Sequence, residues 1–184
     1  MKIKIVIVKF ENISKAQRIG VEDLGKVCFS DVDPYEITED FYAVPFARVL
    51  AFDGKKLVGQ TGLYKREINY LNKDIILGGL GGVCVLPDYR RQGIAEEMVK
   101  IGMKSLSDKN CDIAFLSVDL LKGVYSLYMK YGFRFILQPF SWENIHGEIV
   151  TENEGGMLAK VKSERIFDHV FNSKDVFHVG KGYW

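Results

Sequence analysis

Cysteine and histidine number only three each in this 184-residue chain, and their placement argues against the usual uses. Cys28, Cys84 and Cys111 are odd in number, widely spaced and form no Cys-x-x-Cys pair, so neither a disulfide framework nor a zinc site is expected. They read as reduced, mostly buried thiols of a cytoplasmic protein. His146, His169 and His178 lack ligand spacing and read as surface or packing residues, so no metal is expected. An excess of one charge is missing as well: 25 Lys and Arg stand against 24 Asp and Glu, for a net charge of +1. A nucleic-acid binder normally carries a strong basic excess, so none is expected as partner. Long apolar runs are lacking too. The segment 1–10 is short, is interrupted by lysines and precedes no small-residue cleavage site. It reads as a first strand, not a signal peptide, and no membrane partner is expected. There is no Gly-Lys-Ser/Thr of a P-loop. Gly78-Gly79-Leu80-Gly81-Gly82 fails the dinucleotide fingerprint, because Cys84 stands at its last glycine and strand follows where helix is required.

What is there is an ordinary globular composition, 47% hydrophobic and 27% charged, in a length that suits one domain over residues 1–184. Residues 2–10 alternate lysine and aliphatic residues as an outer strand does. Ser14-Lys15-Ala16-Gln17 predicts a capping box opening a helix to Phe29, with Ala16, Ile19, Leu24, Val27 and Cys28 on or near its buried face. Pro34 is expected to start a short helix inside the acidic stretch 31–40. Segments 46–52 and 56–69 read as strands joined at Asp53-Gly54-Lys55, and a turn near Asn72-Lys73-Asp74 leads to a third antiparallel strand over 75–86. A helix over 92–106 and a doubly buried strand over 112–118 complete a strand–helix–strand unit, which favours a parallel pair. A helix over 123–130 follows, with 133–140 and 156–161 as the last two strands and an extension over 163–184. The expected fold is α/β: a mixed, mostly antiparallel sheet of about seven strands with one parallel pair, flanked by about four helices.

The chemistry concentrates where the third strand ends. Val83-Cys84-Val85-Leu86 is β-branched or apolar, and Pro87 stops it by withholding a backbone N–H. Arg90-Arg91-Gln92-Gly93-Ile94-Ala95 then opens a helix. A loop entering a helix leaves several N–H groups aimed one way without partners, and the helix dipole adds positive potential. Gly93 and Ala95 admit a bulky anion to the backbone, and Arg90 and Arg91 add full charge. The arrangement suits a phosphate or pyrophosphate; the plainer alternative is a solvated turn with Gly93 as a packing residue.

This loop also matches Arg/Gln-x-x-Gly-x-Gly/Ala, and the chain resembles the GNAT acetyltransferase superfamily over residues 46–140. Leu127-Tyr128-Met129-Lys130-Tyr131-Gly132-Phe133 resembles its second signature, Phe/Leu-Tyr-x-x-x-Gly-Phe. The resemblance implies acetyl-CoA as acyl donor, with its pyrophosphate on Arg90, Arg91, Gln92, Gly93, Ile94 and Ala95. Val83, Cys84 and Val85 would line the acetyl-pantetheine arm, and Tyr128 would protonate the leaving thiolate. A phenol near its usual pKa is protonated at neutral pH and suits that role. Tyr125 and Tyr131 read as packing or rim residues. Two departures stand out: Leu121 falls where many members carry an asparagine, and Gly81 falls at or near their basic glutamate. The base is therefore expected elsewhere or in ordered water, with Asp119 and the acids of 31–40 as candidates.

Ile68-Asn69-Tyr70, the acidic stretch and the closing tryptophan resemble the aminoglycoside 2′-N-acetyltransferases. That resemblance implies that Trp184 reaches the acceptor site with its terminal carboxylate, and that Glu152, Glu154 and the acids of 31–40 draw a cationic aminosugar or polyamine. The competing reading has Tyr183 and Trp184 covering a sheet edge or making a homodimer contact. The expected activity is N-acetylation of a small-molecule primary amine. Acetylation of a protein lysine or N-terminus, and a catalytically degenerate acyl-CoA sensor or interaction module, are the alternatives.

Overall fold

The computed structural model describes residues 2–33 and 38–184; the helix start expected at Pro34 lies outside them. β1 (Ile3–Lys9) is an edge strand, antiparallel to β2 (Ala47–Asp53). Between them runs α1 (Lys15–Cys28), opened by the expected capping box: Gln17 N donates to Ser14 Oγ at 3.2 Å, and Ser14 N donates to Gln17 Oε1 at 2.9 Å. The buried face of α1 is narrower than expected. Leu24 is buried, whereas Ile19 and Val27 are 49% and 53% exposed. The helix meets the sheet through one stripe, where Gly20 lies against Leu57 and Leu24 follows one turn on.

β3 (Lys56–Tyr70) and β4 (Lys73–Val85) complete an antiparallel meander with β2. Gly54 turns the first hairpin at φ +57°. The second turns on Leu71 and Asn72, both left-handed, which suits the twist of a tight hairpin and sits just before the expected Asn72-Lys73-Asp74. α2 (Ile94–Asp108) crosses over to β5 (Ile113–Ser117), which is parallel to β4. Next come α3 (Tyr125–Met129), β6 (Arg134–Phe135), β7 (Phe140–Glu143), β8 (Ile149–Glu152), β9 (Gly156–Lys160), α4 (Glu164–Phe171) and β10 (Phe177–Lys181).

The main sheet has seven strands in the order β1-β2-β3-β4-β5-β9-β6, with β4–β5 its one parallel pair, and four α-helices are seen among the described residues. This is the expected fold. A second, three-stranded sheet, β10-β7-β8, was not expected. The strand expected over 133–140 is split into β6 and β7, and β9 is followed by a helix and another strand instead of ending the sheet. β7 and β10 are short and pair in parallel across a separation of more than thirty residues, so neither length nor a local turn announces them.

Each face of the main sheet carries its own core. One packs Leu63, Leu80, Val85 and Ala114 against Ile94, Met98 and Leu106 of α2, with Tyr128 and Phe133 alongside. The opposite face packs Tyr64, Leu77, Phe115 and Leu158 against the second sheet, α4, Tyr183 and Trp184. Among the described residues no helix is long and apolar enough to cross a membrane.

Candidate active site

β4 and β5 pair at Leu77–Ile113, Gly78–Ala114 and Gly79–Phe115 and then part. Beyond Gly79 the β4 backbone stays bonded to β3 while its other edge opens into a gap. A bulge shapes that edge: from the Gln60–Cys84 pair to Gly62–Gly81, β3 advances two residues and β4 three. The additional residue is accommodated at Gly82, whose φ of +58° a side chain would resist. Two β3 side chains pin the bulge. Thr61 Oγ1 donates to Gly81 O at 3.0 Å, and Gln60 Nε2 donates to Gly82 O at 2.8 Å. Gln60 is held in turn by Arg48, whose Nη1 donates to Gln60 Oε1 at 2.6 Å.

Leu86 N donates to Val58 O on β3, so alternation turns the main chain of Val83 and Val85 away from β3 and into the gap. The Val83 and Val85 side chains face α2, while Cys84 faces the other way, onto Gln60. Burial pushes the Cys84 thiol up to about 12, with Cys28 beside it adding to the shift. The Cys28 thiol donates to Val85 O at 3.6 Å.

The loop at the tip of β4 leaves several main-chain donors without partners among the described residues. Arg91 and Gly93 are both left-handed, at φ +59° and +78°, and α2 begins without a side-chain cap. Among the described residues nothing bonds the N–H groups of Arg91, Gln92 and Gly93, and the first turn of α2 adds its own unpaired donors from Ile94 and Ala95. A Cβ on Gly93 would meet nothing within 4 Å, so open space lies against this backbone. The two arginines differ. Both are exposed, but Arg90 folds back and donates from Nε to Val85 O at 3.0 Å, tying the loop to the strand, whereas Arg91 makes no such bond among the described residues. Gln92 Nε2 likewise donates to Asp88 O.

Tyr128 lies buried on the α2 face, edge-on to Phe133 at 6.1 Å between ring centroids. Burial first, and the nearby Cys84 second, push its hydroxyl up to about 12, so it stays protonated through the neutral range. That hydroxyl makes no hydrogen bond among the described residues. Its neighbours are spent elsewhere: Tyr131 donates to Glu96 O at 3.1 Å, and Tyr125 packs on Phe135 at the surface. Asp119 caps its own turn by accepting from Leu121 N at 2.9 Å, and Leu121 is 97% exposed.

On the opposite face Trp184 lies at the fork of β4 and β5. Its Nε1 donates to Phe115 O at 3.3 Å, and its ring stacks on Tyr64. Gly79 and Gly81 make room for it: a Cβ would stand 2.3 Å from the indole at Gly79 and 2.7 Å from the Trp184 main-chain carbon at Gly81. Arg66 stacks over the indole at 4.3 Å and clamps Val179 O and Gly182 O with its two terminal nitrogens. Burial draws the Arg66 guanidinium down to about 10. Tyr183 N donates to Asp40 O, and the Tyr183 hydroxyl is sealed in without a hydrogen-bond partner. The sequence reading did not single out Arg48, Gln60, Thr61, Tyr64 or Arg66. The one available signal was Gln60-Thr61 in the midst of an otherwise apolar strand.

A family model described as an acetyltransferase (GNAT) domain matches residues 9–136. No curated protein sequence matches the chain. Among solved structures, Escherichia coli ElaA superposes with a TM-score of 0.63 at 14% identity, covering 86% of this chain and 100% of its own. A GCN5-related N-acetyltransferase from Kribbella flavida gives 0.55 at 15% identity, covering 74% of this chain and 34% of its own. The chain thus spans about a third of that protein, and of others similar to it. The ribosomal-protein alanine N-acetyltransferase of Escherichia coli gives 0.54 at 12% identity, over 88% and 98% of the two chains.

Proposed function

Because the chain belongs to the GNAT acetyltransferase family, we propose that it moves an acetyl group from acetyl-CoA to the primary amine of a small molecule. The observation that carries this reading is the gap beyond Gly79–Phe115, flanked at one end by the loop of unbonded N–H groups and reached from the α2 face by Tyr128. The N–H groups of Arg91 to Ala95 suit the pyrophosphate, with the exposed Arg91 adding charge. Val83 and Val85 offer main-chain groups to a thioester lying along the β4 edge, as an added strand would. A donor there polarises the acyl carbonyl and stabilises the oxyanion that forms when the amine attacks. Tyr128, kept protonated by burial, supplies the proton that the departing thiolate takes. The attacking amine enters from the Trp184 face. Trp184 lines that entrance, and residues 182–184 are held there on Glu143, Asp40 and Arg66, which favours a compact acceptor.

Incubation with acetyl-CoA and a panel of amines, followed by release of free thiol, tests the reading. Amine-dependent release supports catalysis, whereas cofactor binding with no amine preferred over buffer supports an acyl-CoA sensor. Tyr128→Phe is expected to lower kcat about a hundredfold while the Kd for acetyl-CoA stays within about twofold. Equal turnover by the variant removes Tyr128 from the mechanism.

A further inference from the structure

The acceptor's own chemistry can be read one step further, resting on the acetyl-transfer assignment above. On the Trp184 face, strand register sets Arg48 of β2, Gly62 of β3 and Gly81 of β4 side by side. Gly62 has no side chain, and Tyr64 folds its ring back over it: a Cβ at Gly62 would stand 2.8 Å from the Tyr64 hydroxyl. Directly paired residues on neighbouring strands hold their Cβ positions about 5 Å apart, so this hydroxyl stands next to the Arg48 side chain.

Both groups have unused capacity. Arg48 spends one Nη1 bond on Gln60, and among the described residues no carboxylate lies within ion-pair distance of it. A guanidinium has five N–H donors, so most of them remain. Tyr64 is 8% exposed, and its hydroxyl makes no hydrogen bond among the described residues. Unlike that of Tyr183, it is not completely occluded. A half-buried cation with no counter-ion among the described residues, beside a mostly buried phenol, favours a ligand that answers both. A single oxyanion does so. The charge balance of the face agrees. Arg66 adds a second cation next to Tyr64 without a carboxylate partner among the described residues. Two of the acids that would draw a polycation are engaged locally, Asp31 with Lys122 at 2.7 Å and Glu39 with His146 at 3.5 Å.

We propose that the acceptor is an amine whose far end carries a carboxylate or phosphate, held by Arg48 and Tyr64 while the amine points to the β4 edge at Gly82–Val83, beyond the part of the strand that Trp184 covers. Arg48 stands two strand spacings from β4, about 10 Å, and its side chain spans part of that. The amine and the oxyanion are therefore several bonds apart, as in an ω-amino acid or an amino-sugar phosphate, not vicinal as in an α-amino acid.

Calorimetry on the CoA-bound protein with 5-aminopentanoate, 5-aminopentyl phosphate, 5-aminopentanamide and 1,5-diaminopentane tests this. The two oxyanionic amines are expected to bind at least about tenfold more tightly than the amide, the worth of one charge-assisted hydrogen bond, and the better of them identifies the oxyanion. Arg48→Gln should abolish the preference, Arg48→Lys should restore part of it, and Tyr64→Phe should reduce it. Tyr64→Phe, and Arg48→Lys, which can still donate to Gln60, should leave the Kd for acetyl-CoA and the melting temperature as in the parent, which separates recognition from folding. Equal binding of amide and carboxylate, tighter binding of the diamine, no heat with any oxyanion, or a preference that survives Arg48→Gln each overturns the proposal. Failure of acetyl-CoA itself to bind overturns the acetyl-transfer assignment instead.

Discussion

Gly93 shows how much a single position decides. At φ +78° it takes a conformation that L side chains rarely adopt, yet a Cβ there would meet nothing within 4 Å. Gly93→Val therefore costs backbone strain of about 1–2 kcal/mol without a packing clash. It also puts a branched side chain into the space where the anion is expected. The unfolding midpoint in urea should fall modestly, while the Kd for acetyl-CoA rises at least about tenfold. A variant that binds acetyl-CoA as tightly as the parent would rule out pyrophosphate at this loop. Gly93, Arg91 and Tyr128 could be put forward from sequence because each belongs to a motif a few residues long. Arg48 and Tyr64 were not, since what joins them is the register of neighbouring strands and a ring folded over Gly62. Gly81 was read as a missing glutamate. The structure gives it a packing reason, because the Trp184 main chain occupies the place a side chain would take.

At the scale of elements, α1 tests how far local signals reach. Both bonds of its capping box form, so Ser14→Ala should cost about 1 kcal/mol in urea unfolding, with little change in acetyl-CoA affinity. A loss below about 0.3 kcal/mol would mean that water replaces the cap. The start of α1 was legible, but its buried face was not, because helical spacing cannot say how wide a stripe the sheet will cover. Hairpins fared similarly. Asp53-Gly54 fixed one turn outright, whereas the positive φ of Leu71 carries no residue signature, and that turn was placed slightly late. β7, β8 and β10 are four or five residues each, a length at which strand and loop patterns look alike. Their stability comes from Trp142, Tyr183 and Phe140 stacking on one another, which no window of local sequence contains.

For the whole molecule, the buried neutral groups set an alkaline limit. Cys84 and Tyr128 are pushed up to about 12 and Cys111 to about 11, in each case chiefly by burial. Their folded-state values exceed the unfolded ones, so the unfolded chain gives up protons first as pH rises. Stability is then undiminished below about pH 9 and is lost progressively between about 9 and 12. At pH 10.5, Cys84 alone should cost about 2 kcal/mol relative to pH 8. Urea unfolding at the two pH values checks this, and Cys84→Ala should flatten the difference. A parent protein equally stable at both would show that these groups are better solvated than their burial implies.

The gap between β4 and β5 has a consequence for the resting protein. Two strand margins face each other inside the sheet with hydrogen-bonding groups unspent, the very feature that invites stray chains to pair. On the proposed reading, a thioester lying there would act as a missing rung, adding cohesion as well as a reactant. Saturation with the proposed acyl donor would then guard the fold against self-association, and starvation for it would expose a seam.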